Sequence, residues 1–196
     1  MFLTEKIEKA IVRSAELHRK QSRKSSGAPY IVHPFAVAFL LAHYVEDEDV
    51  ICAGLLHDVL EDVPSYGAEK MKEEFGENVY RIVKEVTEDQ SLKESWNIFS
   101  RGDRWRKRKE QYLENLKNDS PEGLMIAAAD KIHNIRSLAD GYELQGESVW
   151  KLFQGKREEM FWFYDSVLRI LKERLKHPII DELERTLSDA KERLSR

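Results

Sequence analysis

The chain has 196 residues, which is enough for one well-packed core and short for two domains. Charged residues make up 35% and hydrophobic residues 41%, a balance typical of a helix-rich globular protein. The 32 basic and 36 acidic side chains leave a net charge of −4, so no overall field attracts the chain to nucleic acid or to an anionic membrane. Any anionic ligand must therefore meet a local cluster of cations.

Cysteine use and the N-terminal segment predict a cytoplasmic protein. The single cysteine, Cys52, cannot form a disulfide within the chain, and it lies in the apolar run VICAGLL, where a buried thiol is expected. The segment MFLTEKIEK has no apolar signal region. No apolar run approaches the roughly 20 residues that a membrane helix needs.

Helical periodicity dominates the first half of the chain. Apolar residues recur at helical spacing over about 4–22, and the loop SRKSSGAPY then leads to a second helix that begins at Pro34. A third helix is expected over about 48–61 and is closed by Pro64. A short helix ended by Gly76 and an amphipathic helix over ENVYRIVKEVTE follow.

The second half is helical after one aperiodic segment. Residues 89–102 lack periodicity and are expected to form a long loop of functional interest. A strongly basic helix is expected over 103–118, and an apolar helix opens at Pro121 and ends at Gly141. The last two helices are expected over about 147–174 and 178–195. Without strand alternation or repeats, the sequence predicts an all-α fold, a single-domain helical bundle of roughly 8–10 helices.

The segment GLLHDVLEDV places four titratable side chains within six positions of the third helix. In a continuous helix His57 shares a face with Glu61, Asp58 shares a face with Asp62, and the two pairs lie about 100° apart. Buried carboxylates this close repel one another and lose hydration, a conflict that a divalent cation resolves. A solvated edge at the end of the helix accounts for the segment equally well.

Two further positions favour the metal site. His33 precedes Pro34, which keeps its backbone out of the α region and directs its ring away from the new helix. Asp130 follows the apolar run LMIAAA, where an unpaired carboxylate is costly to bury. The adjacent Lys131 is expected to face another way. One polar stripe on this apolar helix comprises Asp130, His133, Asn134 and Ser137.

Four segments carry a resemblance to a known family: RKSSGAPYIVHPFAVAFLL, GLLHDVLEDV, FGENVYRIVKEVT and AAADKIHNIRSL. In order and spacing they resemble the hydrolase domain of the RelA/SpoT family, within the HD superfamily of metal-dependent phosphohydrolases. The length is similar to that of the family's stand-alone small alarmone hydrolases. The whole chain, residues 1–196, is expected to form a single HD hydrolase domain. The resemblance covers about residues 5–170, and the C-terminal helix, about 178–196, has no assigned role beyond packing or assembly.

The resemblance implies a metal centre and an acidic catalytic pair. Its four implied ligands for one divalent metal, manganese in this family, are His33, His57, Asp58 and Asp130. Two imidazoles and two carboxylates also suit other divalent ions, so iron, zinc and magnesium stay open. Glu61 and Asp62 resemble the family's catalytic pair, which takes a proton from the attacking water or orients it. Which of the two is the base is not readable from the sequence.

The resemblance also implies groups that bind a phosphorylated nucleotide. These implied substrate-binding residues are Arg23, Lys24, Asn134, Ser137, Arg108 and Lys109. Arginine can stack on a base or bind phosphate with two donors, and lysine acts as a point charge. For the basic helix, a solvated surface with Trp105 and Tyr112 packed inward is an equal alternative. His133 is expected to pack beside the site rather than bind metal. Met160, Trp162, Phe163 and Tyr164 are expected to lie in the core.

The implied activity is metal-dependent hydrolysis of guanosine 3′,5′-bispyrophosphate, ppGpp or pppGpp, the alarmone of the stringent response. Pyrophosphate leaves from the 3′ position to give GDP or GTP. Two alternatives stay open: a phosphohydrolase of another 3′- or 2′-phosphorylated nucleotide such as NADPH, and a non-catalytic nucleotide-binding helical protein. A small-molecule nucleotide is the expected partner. Neither nucleic acid nor a membrane is expected, and the oligomeric state is not readable.

Overall fold

The structure is a computed structural model that describes residues 3–24, 26–88, 101–153 and 155–194. Regular structure in these ranges is helical, apart from an isolated antiparallel bridge between Ser22 and Pro29. The all-α prediction is confirmed. The helices are α1 (Glu5–His18), α2 (Val32–Tyr44), α3 (Glu48–Leu56), α4 (Val59–Asp62), α5 (Ala68–Phe75), α6 (Glu77–Val86), α7 (Arg101–Leu116), α8 (Pro121–Gln145), a 3-10 helix (Gly146–Leu152), α9 (Arg157–Arg174) and α10 (Pro178–Arg193).

Helix α8 is the central element, and it packs against α2, α6, α9 and α10. Its N-terminus lies where the sequence predicts, because the Ser120 hydroxyl accepts a hydrogen bond from the Gly123 amide at 3.2 Å and Pro121 occupies the first turn. The expected end at Gly141 is wrong. Gly141 is buried inside the helix, which continues to Gln145, because tertiary packing outweighs the roughly 1 kcal/mol that an interior glycine costs.

The helix predicted over 48–61 is interrupted at His57 and Asp58. Asp58 has φ −90° and ψ −6°, and α4 resumes with a hydrogen bond from the Asp62 amide to the Asp58 carbonyl at 2.8 Å. Adjacent side chains of a continuous helix point about 100° apart. The interruption instead brings His57 Nε2 to 3.1 Å from Asp58 Oδ2, so two neighbours in sequence face one point.

The last part of the chain also differs in detail from the prediction. The single helix expected over 147–174 is divided into the 3-10 helix and α9, and the amide of Lys156 donates to Glu159 at 2.7 Å at the start of α9. Helix α10 packs chiefly on α8, where Arg193 bridges Asp140 at 2.8 Å and Glu143 at 2.7 Å. None of the helices in the described part of the chain is both long and apolar enough to span a bilayer.

The segment before α9 passes close to α7 at Gly155. A Cβ atom at this position would lie 2.8–3.0 Å from three ring atoms of Trp105, whose side chain is buried. The rigid indole lies edge-on to Phe163 at a centroid distance of 6.4 Å, so a shift that relieves the overlap would disturb buried packing. The close approach thereby ties the basic helix α7 to α9.

We therefore expect Gly155→Ala to lower the free energy of unfolding by about 1–3 kcal/mol, the usual effect of overpacking. The measurement is urea unfolding monitored by circular dichroism. In a Trp105→Phe background the same change should cost less, because the smaller ring relieves the overlap. An equal loss in both backgrounds would show that the contact with Trp105 is not the cause.

Candidate functional site

The four predicted metal ligands converge from four elements of the fold. His33 Nε2 lies 3.5 Å from Asp58 Oδ2 and 3.1 Å from Asp130 Oδ1. His57 Nε2 lies 3.1 Å from Asp58 Oδ2 and 3.9 Å from Asp130 Oδ1. Donor atoms that share one cation through bonds of about 2.1 Å are separated by about 3 Å. His33, His57 and Asp58 bring donor atoms within 4.8 Å of one another, which suits a single divalent ion, and Asp130 lies beside this set.

The two imidazoles are held so that Nε2 faces the carboxylates. His57 Nδ1 lies 2.8 Å from the Gly54 carbonyl, which can only accept, so this nitrogen carries hydrogen and Nε2 is the ring atom available to bind a metal. This buried Nε2 has no hydrogen bond of acceptable geometry despite its short distance to Asp58. His33 Nδ1 lies 2.8 Å from His133 Nδ1, where one nitrogen donates to the other. A buried imidazole nitrogen that makes no hydrogen bond and faces carboxylate oxygens is suited to binding a metal ion.

Each carboxylate is oriented by a neighbour. The Tyr30 hydroxyl donates to Asp58 Oδ2 at 2.6 Å, Asn134 donates its amide hydrogen to Asp130 Oδ1, and Lys131 forms an ion pair with Asp130 Oδ2. The expectation that Lys131 faces another way is wrong. Its flexible four-carbon side chain turns back on the preceding residue, and it is buried against Tyr112, with Nζ 4.6 Å from the ring centroid.

The carboxylates make this cluster attractive to positive charge. Burial disfavours the charged imidazole of His57, but Asp58, Asp130 and the Gly54 carbonyl together outweigh burial and raise the pKa of His57 to about 9. Burial likewise opposes ionisation of Asp130, yet Lys131 and His33 hold the pKa of this carboxyl well below its usual range. The carboxylates of Asp58 and Asp130 therefore stay ionised at neutral pH. A bound cation would reduce the repulsion between these two negative charges.

Glu61 and Asp62 have different surroundings. Glu61 lines the cavity beside the ligands, and burial, followed by the charges of Glu88 and Asp58, raises its pKa to about 7. Asp62 is exposed and lies outside the walls of this cavity as the described residues form them. Partial desolvation of the carboxyl group, followed by the charge of Asp58, raises the pKa of Asp62 as well. Of the two, Glu61 is therefore the one placed beside the metal ligands.

The cavity at the predicted metal ligands shares lining residues, among them Glu61 and Lys131, with a wider one of about 370 Å³, within the size range of small-molecule sites. The six predicted substrate-binding residues all line the wider cavity: Arg23, Lys24, Asn134, Ser137, Arg108 and Lys109. Apolar side chains form another part of its wall, and those of Met160, Phe163 and Tyr164 are also buried, as expected of core residues. Trp162 is only partly buried, and its ring stacks with Arg106 at 3.2 Å.

Glu88 and Tyr30 line the site but were not predicted from the sequence. Glu88 lines both cavities and forms an ion pair with Lys109, whose Nζ lies 2.6 Å from Glu88 Oε1. Its one sequence signal is its position just before the aperiodic segment, of which residues 89–100 lie outside the described residues. Tyr30 falls within the motif PYIVHP, but nothing in its type or spacing signals the contact with Asp58.

Comparison with known proteins agrees with this site. A family model described as HD domain matches residues 10–160. The chain is 38% identical over 128 residues to the guanosine-3′,5′-bis(diphosphate) 3′-pyrophosphohydrolase MESH1 of Danio rerio, covering 64% of each chain. It is 34% identical over 139 residues to the bifunctional (p)ppGpp synthase/hydrolase SpoT of Escherichia coli, covering 68% of this chain and 18% of SpoT.

A solved structure of a metazoan ortholog of SpoT, described as hydrolysing ppGpp with a role in starvation responses, has a TM-score of 0.78 to this chain. The two are 28% identical, and the match covers 96% of this chain and 97% of the other. The sequence alignments span less than two thirds of the length of the two curated relatives. The resemblance to the RelA/SpoT hydrolase domain is confirmed, and the chain belongs to the HD domain family.

Proposed function

We propose that this chain hydrolyses guanosine 3′,5′-bispyrophosphate, ppGpp or pppGpp, releasing pyrophosphate from the 3′ position to give GDP or GTP. The observation that carries the proposal is a pair of cavities with shared walls: the predicted metal ligands line one, and all six predicted nucleotide-binding residues line the other. The names of the relatives support the choice of substrate. The proposed unit is a single HD hydrolase domain in the cytoplasm, with a small-molecule nucleotide as its partner.

We propose manganese as the ion, held by His33, His57, Asp58 and Asp130. When bound, such an ion acidifies a water molecule and withdraws charge from a phosphoryl group. Two imidazoles with two carboxylates suit a cation of borderline to hard character, which supports manganese without excluding other divalent ions. Metal analysis of the purified protein distinguishes them.

We assign Glu61 as the proton acceptor in this reaction. Its carboxylate lines the cavity next to the ligands, and a pKa of about 7 matches a base that must hold and release a proton at neutral pH. Asp62, exposed at the end of α4, is assigned a supporting role through its negative charge. The cations that line the cavity, among them Arg23, Lys109 and Lys131, offset the charge of the phosphates.

Purified protein with Mn²⁺ should release pyrophosphate from ppGpp, and Asp58→Ala should reduce the rate to background because a metal ligand is lost. The measurement is chromatography of the products, with NADPH and 3′-phosphoadenosine nucleotides tested in parallel. Faster release from one of those nucleotides would identify a different substrate for the same site. No turnover of any of them at full metal occupancy would favour a non-catalytic nucleotide-binding protein.

Glu61→Gln should lower kcat by at least 100-fold, the scale of general-base catalysis, because the amide cannot accept the proton. Asp62→Asn, a matched change at the next position, should have a much smaller effect. Steady-state kinetics with calorimetric control of Mn²⁺ binding makes the comparison. A larger loss from Asp62→Asn would reverse the assignment of the base.

The charge of Glu88 should influence the pH at which Glu61 becomes protonated and the enzyme loses activity. Burial and then the negative charge of Glu88 raise the pKa of Glu61, so Glu88→Gln should lower this pKa. Glu61 must be ionised to accept a proton, and the variant should therefore stay active to lower pH. The measurement is the acid limb of kcat/KM against pH, which should move to lower pH. An unmoved limb, or a shift to higher pH, would contradict the electrostatic link.

A further inference from the structure

Arg23 is connected to one of the carboxylate ligands through Asn134. The guanidinium donates from Nη2 to Asn134 Oδ1 at 2.7 Å, and the amide nitrogen of the same side chain donates to Asp130 Oδ1. The amide of Asn134 thus has opposite partners at its two ends, a donor on the oxygen and an acceptor on the nitrogen. This arrangement allows only one orientation of the amide and holds it against Asp130.

A second and separate contact connects Arg23 to the other carboxylate ligand. The guanidinium carbon lies 5.5 Å from the centroid of the Tyr30 ring, within the range of a cation–π contact. The hydroxyl of Tyr30 in turn donates to Asp58 Oδ2 at 2.6 Å. One arginine in the loop before α2 therefore supports both carboxylates of the metal centre, each through one intervening side chain.

These links have a consequence that the assignment of Arg23 to nucleotide binding does not predict. We propose that Arg23 is a positioning residue for the metal centre, which holds Asp130 through Asn134 and Asp58 through Tyr30 and so strengthens the binding of a divalent cation before any nucleotide arrives. The proposal rests on the metal site of the proposed function. It adds that the affinity for metal depends on a residue outside the ligand set.

The charge of Arg23 and its positioning role predict opposite changes in metal affinity when Arg23 is removed, which makes the proposal testable. Arg23 is a cation near a cation site, so removing its charge alone should leave metal binding unchanged or make it tighter. If instead Arg23 orients the carboxylates, removing it should weaken binding. Loss of a group that orients metal ligands typically weakens metal affinity by about 10- to 100-fold.

The experiment is calorimetric titration of the full chain with MnCl₂ in the absence of nucleotide. We expect Kd to rise at least fivefold in Arg23→Met and about tenfold in Asn134→Leu. In the double variant the loss of affinity should be smaller than the product of the two single effects, because both changes remove the same link to Asp130 and only Arg23→Met also removes the contact with Tyr30. Lys24→Met is the matched control: it removes the same charge from the neighbouring, exposed position and should leave Kd unchanged or lower it.

The outcomes separate this proposal from the proposed function. Wild-type protein that binds no Mn²⁺ would overturn both. Wild-type binding with an unchanged or tighter Kd in Arg23→Met would overturn the positioning role alone and leave Arg23 as a nucleotide contact. Melting temperatures in EDTA identify any variant that is unfolded. For that case Arg23→Lys, which keeps the charge but loses the planar donors, should still bind Mn²⁺ more weakly than wild type.

Discussion

The placement of two partly buried carboxylates beside two imidazoles is the constraint on which the rest of the structure depends. Asp58 and Asp130 are ionised where their contact with water is reduced, and their negative charges favour the protonated imidazole of His57 and raise its pKa to about 9. The fold accommodates these charges: α3 is interrupted beside Asp58, and α8 carries Asp130 in the centre of its buried length. A divalent cation satisfies both carboxylates at once.

The surroundings of the cluster divide into groups that hold ligands and groups that face an anionic substrate. Lys131 belongs to the first by its ion pair with Asp130 and to the second by lining both cavities. Lys109 is already paired with Glu88, so a phosphate that reaches it competes with an internal carboxylate. Such internal pairing keeps the cavity from carrying a large excess of either charge.

Periodicity and capping predicted most helices, and the cost of burying the carboxylate of Asp130 favoured a metal site. Contacts between segments far apart in the sequence were not predictable from these local rules. The interruption at His57 was missed because its residues are compatible with a continuous helix and only convergence of α2, α3 and α8 explains it. The pairing of Lys109 with Glu88 joins residues 21 positions apart, a distance that spacing rules within one helix do not cover. The direction of the Lys131 side chain was predicted wrongly because a long, flexible side chain can reach groups on a helix face other than the one on which its Cα lies.

The site of bond cleavage tests the central claim most directly, because hydrolysis at the 3′ position can be followed by isotope. The measurement is turnover of ppGpp in H₂¹⁸O with Mn²⁺, followed by mass spectrometry of both products. Water that attacks the phosphorus attached to the 3′-oxygen leaves one ¹⁸O atom in the released pyrophosphate and none in GDP. Label in the nucleotide, or release of orthophosphate in place of pyrophosphate, would contradict the proposed reaction.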